Sequence, residues 1–235
     1  MENKISISSG LPYTTPTASI NQLVEFTVAT ECGKKNIIKN QKHPSAFRVA
    51  CYRSARAAIT RFAMNEFDYH QLFGAIQKLQ GKQPSSDWSR RDTQDSIVAL
   101  RKFIDMNFPQ QIGKVHCSFS KATIKECMFT GVRIIVAPDL ILRWEENGKH
   151  YVGAVKFKIG KKKWKPAAAY RAASFIAYFL SKHVANEGEI VDHSRCFLVD
   201  VMEQNTIPAP SNYDKVISDM KNSCVEYVQL WDKVA

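Results

Sequence analysis

Apolar positions along this chain follow two different periods, and the change between them falls near Pro109. Before it, apolar residues recur every three or four positions, the spacing of a helix that buries one face. Ser19, followed by Asn21, Gln22 and the apolar Leu23, Val24 and Phe26, predicts a capped first helix that ends at Gly33. A second helix is expected from Pro44 and Ser45, with Phe47, Cys51, Ala55, Ala58 and Phe62 in one stripe. Its arginines, Arg48, Arg53, Arg56 and Arg61, fall on the opposite arc at about 100° per residue. Further helices are expected around Tyr69 to Leu79 and Asp92 to Met106, with Gly81 to Ser86 as the loop between them.

After Pro109 the apolar runs shorten and become β-rich. Strands are expected over Val115 to Phe119, Ile124 to Phe129, Val132 to Trp144 and Tyr151 to Phe157, with a polar hairpin turn at Glu145 to Lys149. Pro166 suits the first position of a helix that runs to about Val184 and is apolar on most sides, as a crossover helix against a sheet would be. Arg195 to Met202 reads as a strand buried on both faces. Ser211 and Asp214 resemble a capping box ahead of a last helix, with Ile217, Met220, Cys224, Tyr227 or Val228, and Trp231 in its stripe. The chain thus divides into a flexible leader over residues 1–18, an α-helical region over 19–108 and an α/β core over 109–235. The expected class is mixed α/β (α+β): a central mixed sheet of four to five strands flanked by helices.

Composition narrows the setting. No apolar run is long enough to span a bilayer, and the first residues lack the apolar stretch of a signal peptide, so a cytoplasmic protein without a membrane partner is expected. The six cysteines form no Cys-x-x-Cys pair, and the six histidines show no zinc spacing. A formal net charge of +11 points to a polyanionic partner. The charge is concentrated. Residues 34–61 carry Lys34, Lys35, Lys39, Lys42 and the four arginines without one acid, and Asn147 to Asn186 is a second acid-free stretch. In the latter, Lys161, Lys162, Lys163 and Lys165 surround Trp164, which either stacks on a base beside lysine-held phosphates or covers an edge of the core.

The candidate chemistry lies in IIVAPDLILRWEENGKHYVGAVKFKIGK, where Pro138-Asp139 and Lys156 occupy the two arms of the expected hairpin. Pro138-Asp139, Ala154-Val155-Lys156 and the following helix with Tyr170 resemble the core of the PD-(D/E)XK nuclease superfamily, in its RecB-like branch. The resemblance covers about 50 residues, or nearer 90 with the next strand and helix, and departs from the pattern at Ala154, where the family has a second acid. It implies a restriction-endonuclease-like fold, with Asp139 and Lys156 as catalytic residues and Mg²⁺ as cofactor if the site is active. Mg²⁺ demands several oxygen ligands, so Glu126 is the candidate replacement acid beside Asp139, with Glu25 and Glu31 as others. The reading that follows is a nucleic-acid-binding protein, for DNA or RNA, with a weakened or inactive nuclease site, in phage defence, mobile elements or repair. Its nucleic-acid contacts are expected at Arg48, Arg53, Arg56, Lys158, Lys161, Lys162, Lys163 and Trp164. The alternatives are an active Mg²⁺-dependent nuclease with a migrated acid, and a non-catalytic scaffold or interaction subunit whose basic surface takes a protein or RNA partner; a homo-oligomer is also open.

Overall fold

A computed structural model of the chain describes residues 14–43, 51–112 and 117–234. Arg48, and the expected helix start at Pro44 and Ser45, lie outside the described residues. Ser19 caps the first helix, α1 (Ile20–Phe26): its Oγ accepts the Gln22 N–H at 3.3 Å and donates to Gln22 Oε1 at 2.6 Å. The helix stops at Phe26, and Thr30 caps a new one, α2 (Glu31–Lys42), by accepting the Gly33 N–H. Gly33 therefore sits in the first turn of α2 and ends nothing, which corrects the sequence expectation. Thr17–Ser19 form a short strand, β1, so the end of the expected leader is part of the fold.

Helices α3 (Arg53–Met64), α4 (His70–Gln80), α5 (Asp87–Asp105) and the short α6 (Phe108–Gln111) follow. The α5 helix starts ahead of the expected Asp92 because Ser86 accepts the Ser89 N–H and caps it. The strands are β2 (Ser118–Ser120), β3 (Glu126–Phe129), β4 (Val132–Ile135), β5 (Leu140–Glu146), β6 (Lys149–Lys158), β7 (Ile190–Asp200) and β8 (Asn205–Pro208). Between β6 and β7 runs α7 (Pro166–Phe179), which relaxes into a π-turn over Leu180–Val184, and α8 (Asp214–Trp231) closes the chain. The expected Ser211 cap is not formed; Asn212 Oδ1 accepts the Asp214 N–H instead.

One expected strand is really two. Val132 to Trp144 breaks at Val136–Asp139, where Ala137 takes a left-handed φ of 42°. The N–H groups of Val136 and Ala137 both donate to the Lys125 carbonyl, at 2.9 and 2.8 Å, which turns the chain out of one sheet and into another. The protein is thus mixed α/β with two mixed sheets, a three-stranded one in the order β1-β4-β3 and a five-stranded one in the order β2-β5-β6-β7-β8. In the larger sheet β5 and β6 form the expected hairpin, with Asn147 and Gly148 at φ of 52° and 69° in a two-residue turn. The α7 crossover makes β7 parallel to β6. At Gly153 the two strands approach so closely that an added Cβ would lie 2.5 Å from the Arg195 carbonyl oxygen, and the register shifts there.

Helices cover both faces of the larger sheet. On one, Ile141, Val152, Ala154, Cys196 and Leu198 pack under α7, together with α1, α8 and the small sheet. On the other, Leu140, Leu142, Val155, Phe157 and Val199 pack against α3, α4 and α5. The expected helical region is therefore split between the two faces. An aromatic cluster fixes the second face: the Phe103 ring lies 5.7 Å from Phe62 of α3 and 5.7 Å from Phe157 of β6. No helix among the described residues is long and apolar enough to cross a membrane.

Candidate functional site

The residues singled out in the sequence meet where β5 begins and β6 runs on. Leu140 pairs with Val155, and the Asp139 N–H donates to the Val155 carbonyl at 2.8 Å, so Asp139 lies just outside β5, opposite Lys156. Beyond that point no strand among the described residues pairs with the β5-facing edge of β6. Side chains take over. Asp139 Oδ2 accepts the Phe157 N–H at 2.8 Å, and Arg56 Nη1 donates to the Phe157 carbonyl at 2.8 Å. The same Nη1 binds Asp139 Oδ1 and Oδ2 at 2.8 and 2.9 Å. Arg56 and Asp139 therefore continue the ladder that the backbone leaves unfinished, as buried backbone polar groups require. The Phe157 ring meets Phe103 of α5, which in turn meets Phe62 of α3, so the helix that carries Arg56 shares an aromatic cluster with β6.

This arrangement does not fit a divalent cation. Both Asp139 oxygens already accept from the Arg56 guanidinium, and Oδ2 accepts the Phe157 N–H as well, so donors occupy the oxygens that Mg²⁺ would need as ligands. Glu126 is held by Arg133 on the three-stranded sheet, with bonds of 2.8 to 3.0 Å. Among the described residues no group of three or more His, Cys, Asp and Glu is placed to hold a metal. Ala154, where the PD-(D/E)XK resemblance would put a second acid, is fully buried beneath α7 opposite Ile141. A carboxylate there would be a charge in an apolar core.

Lys156 is buried and donates to the Ala137 carbonyl at 3.1 Å, without forming an ion pair with Asp139. Burial pushes its ammonium down to about 8; the neighbouring Asp139 charge opposes that shift and Arg56 adds to it. Two residues on, Lys158 makes a buried ion pair with Asp200 at 2.8 Å, their side chains 6% and 9% exposed. Its ammonium also lies 5.4 Å from the Trp164 ring centroid. Lys158 is thus enclosed with its carboxylate partner and is not presented at the surface as the expected phosphate contact would be.

The lysine run lies on the surface, and each of its first three members reaches a carboxylate on a different element. Lys161 binds Asp95 of α5 at 2.8 Å, Lys162 binds Glu25 of α1 at 2.5 Å, and Lys163 binds Glu203 after β7 at 3.0 Å. Trp164 donates its indole N–H to Glu25 at 3.1 Å and packs against the core under α7. Arg53 stands exposed on α3. The sequence did not reveal the partners Asp95, Glu25, Glu203 and Arg56, since ion pairs between residues 83 or 137 positions apart leave no local pattern. No model of a known protein family matches the chain, and no characterised protein matches it either.

Proposed function

We propose that this chain binds nucleic acid through its phosphates and does not cleave it, on a core related to the PD-(D/E)XK nucleases whose acidic site is closed. One observation carries the reading: Arg56 occupies the Asp139 carboxylate, where a nuclease of this kind would hold its metal. The hairpin that sets Asp139 opposite Lys156, followed by the α7 crossover to a parallel strand, supports the kinship. The net charge of +11 and the exposed Arg53, Lys161, Lys162 and Lys163 support the polyanion partner. The ion pairs of the lysine run do not oppose it, because exposed pairs contribute little, about 0 to 1 kcal/mol, and exchange readily for phosphate.

The test is incubation of the full chain with labelled DNA and RNA, single- and double-stranded, at about 50 mM salt, where phosphate contacts are strongest. Chelator, Mg²⁺ and Mn²⁺ form parallel arms. Binding that survives chelator, weakens steeply with salt and leaves the strands intact is expected. Metal-dependent cleavage that disappears in Asp139→Ala overturns the non-cleaving half, and absence of binding in every arm overturns the whole.

A further inference from the structure

Next to the lysine run, α1, α2 and the loop leading into α7 enclose a cavity of about 450 Å³, within the range of small-ligand sites. Three kinds of chemistry meet in its lining. Lys162, Lys163 and Lys165 supply positive charge; Glu25, the one carboxylate of the lining, is satisfied by Lys162 and the Trp164 indole N–H, and Lys163 reaches Glu203 outside it through an exposed contact that a phosphate can displace. Asn36 and Asn40, one turn apart on the exposed side of α2, supply amide donors and acceptors. Trp164 and Ile37 supply apolar surface, and the bond to Glu25 together with the nearby Lys158 ammonium holds the indole in place.

We infer that this cavity takes one nucleotide, with the base against Trp164, its polar edge at Asn36 and Asn40, and the phosphate at Lys163 and Lys165. Inorganic phosphate would leave the indole and the amides without a role, and an uncharged apolar ligand would leave the lysines without one. A nucleotide uses all three, in the combination of stacking surface and cationic rim that single strands require. The inference deepens the nucleic-acid reading and rests on it. The nucleotide arrives either free or as one unit of a single strand.

Two arms separate those sources. The full chain is titrated with AMP and UMP, followed by calorimetry, and with short labelled single-stranded DNA and RNA, followed by fluorescence anisotropy. The variant Asn36→Trp fills the cavity from an exposed helix position and leaves the charge unchanged. It is expected to abolish nucleotide binding, to weaken strand binding by about tenfold, the worth of one stacked base, or to do both. Nucleotide affinity no greater than that of inorganic phosphate, combined with strand affinity in Asn36→Trp within about twofold of the parent, overturns the cavity assignment and leaves general nucleic-acid binding standing. If the parent chain binds no strand, the wider reading fails, and the cavity assignment then fails too unless AMP or UMP binds. Circular dichroism checks the fold of the variant; should Asn36→Trp unfold, Asn36→Ala with Asn40→Ala replaces it under the same criteria.

Discussion

A single nitrogen of Arg56, Nη1, binds both oxygens of Asp139 and the carbonyl of Phe157, at 2.8 to 2.9 Å. The side chains of the pair are 36% and 8% exposed, so the carboxylate is enclosed while the guanidinium keeps one side in solvent. The relationship joins α3 to the end of the β5–β6 hairpin. It also turns the most conspicuous acid of the sequence into a structural group.

That asymmetry sets an order of effects. Asp139→Ala leaves the Phe157 N–H unpaired and the Arg56 charge without its partner, and is expected to destabilise the fold by about 2–3 kcal/mol. Arg56→Ala keeps the bond from the Phe157 N–H to Asp139 but unpairs the Phe157 carbonyl and leaves a carboxylate that is 8% exposed without its cation, so the loss should be larger, about 3–5 kcal/mol. Urea unfolding of the two variants checks the order; an equal or smaller loss for Arg56→Ala would show that the enclosed carboxylate does not depend on the guanidinium.

Lys156 gives a pH signature. Its folded-state value of about 8 lies below the ordinary 10.5. Between those values the unfolded chain binds more protons than the folded one, so this group makes stability rise as pH rises from about 8 to 10.5. The thiols of Cys127, Cys196 and Cys224 are pushed up by burial and act in the opposite sense at alkaline pH. The difference between the parent and Lys156→Met therefore isolates the lysine. The parent is expected to gain on the variant by an amount on the order of 3 kcal/mol across that window, measured as paired urea midpoints. Parallel curves for the two proteins would mean that Lys156 is not desolvated.

Much of the fold is written in local patterns. The Ser19 cap, the stripe of α3, the Asn147-Gly148 turn, Pro166 at the start of α7 and the apolar run of β7 each arise from neighbouring residues acting together. The break at Val136–Asp139 was hard to read, because apolar residues run up to it on both sides and nothing in an alanine announces a left-handed φ; Pro138 was its one local signal. The role of Asp139 was hidden for a different reason. A Pro-Asp before a hairpin fits a metal ligand and a ladder cap equally well, and only the arrival of Arg56 from α3 separates the two.

The buried pair of Lys158 and Asp200 is expected to couple strongly. Removing the carboxylate in Asp200→Leu leaves an ammonium enclosed beside Trp164, for a loss of about 3–5 kcal/mol. The double variant Lys158→Met with Asp200→Leu removes both charges, and its loss should be well below the sum of the single losses. A double-mutant cycle on unfolding free energies measures the difference. Additive losses would show that the two charges do not depend on each other for solvation.

The lysine run allows a test in which affinity should rise. Asp95 and Glu203 hold Lys161 and Lys163 through largely exposed contacts, so a bound phosphate must compete with them. Asp95→Asn with Glu203→Gln removes that competition and two negative charges while leaving every cation in place. If phosphates dock on this loop, affinity for single-stranded nucleic acid at low salt should increase severalfold. The gain should shrink as salt is raised, because it is electrostatic. The opposite substitution, Lys161→Ala with Lys163→Ala, should weaken binding and lower the slope of log K against log salt by about 2, roughly one per lost phosphate contact. Unchanged affinity and slope in both variants would take the loop out of the binding surface and shift the search for phosphate contacts to other exposed cations, Arg53 and the lysines of α2 among them.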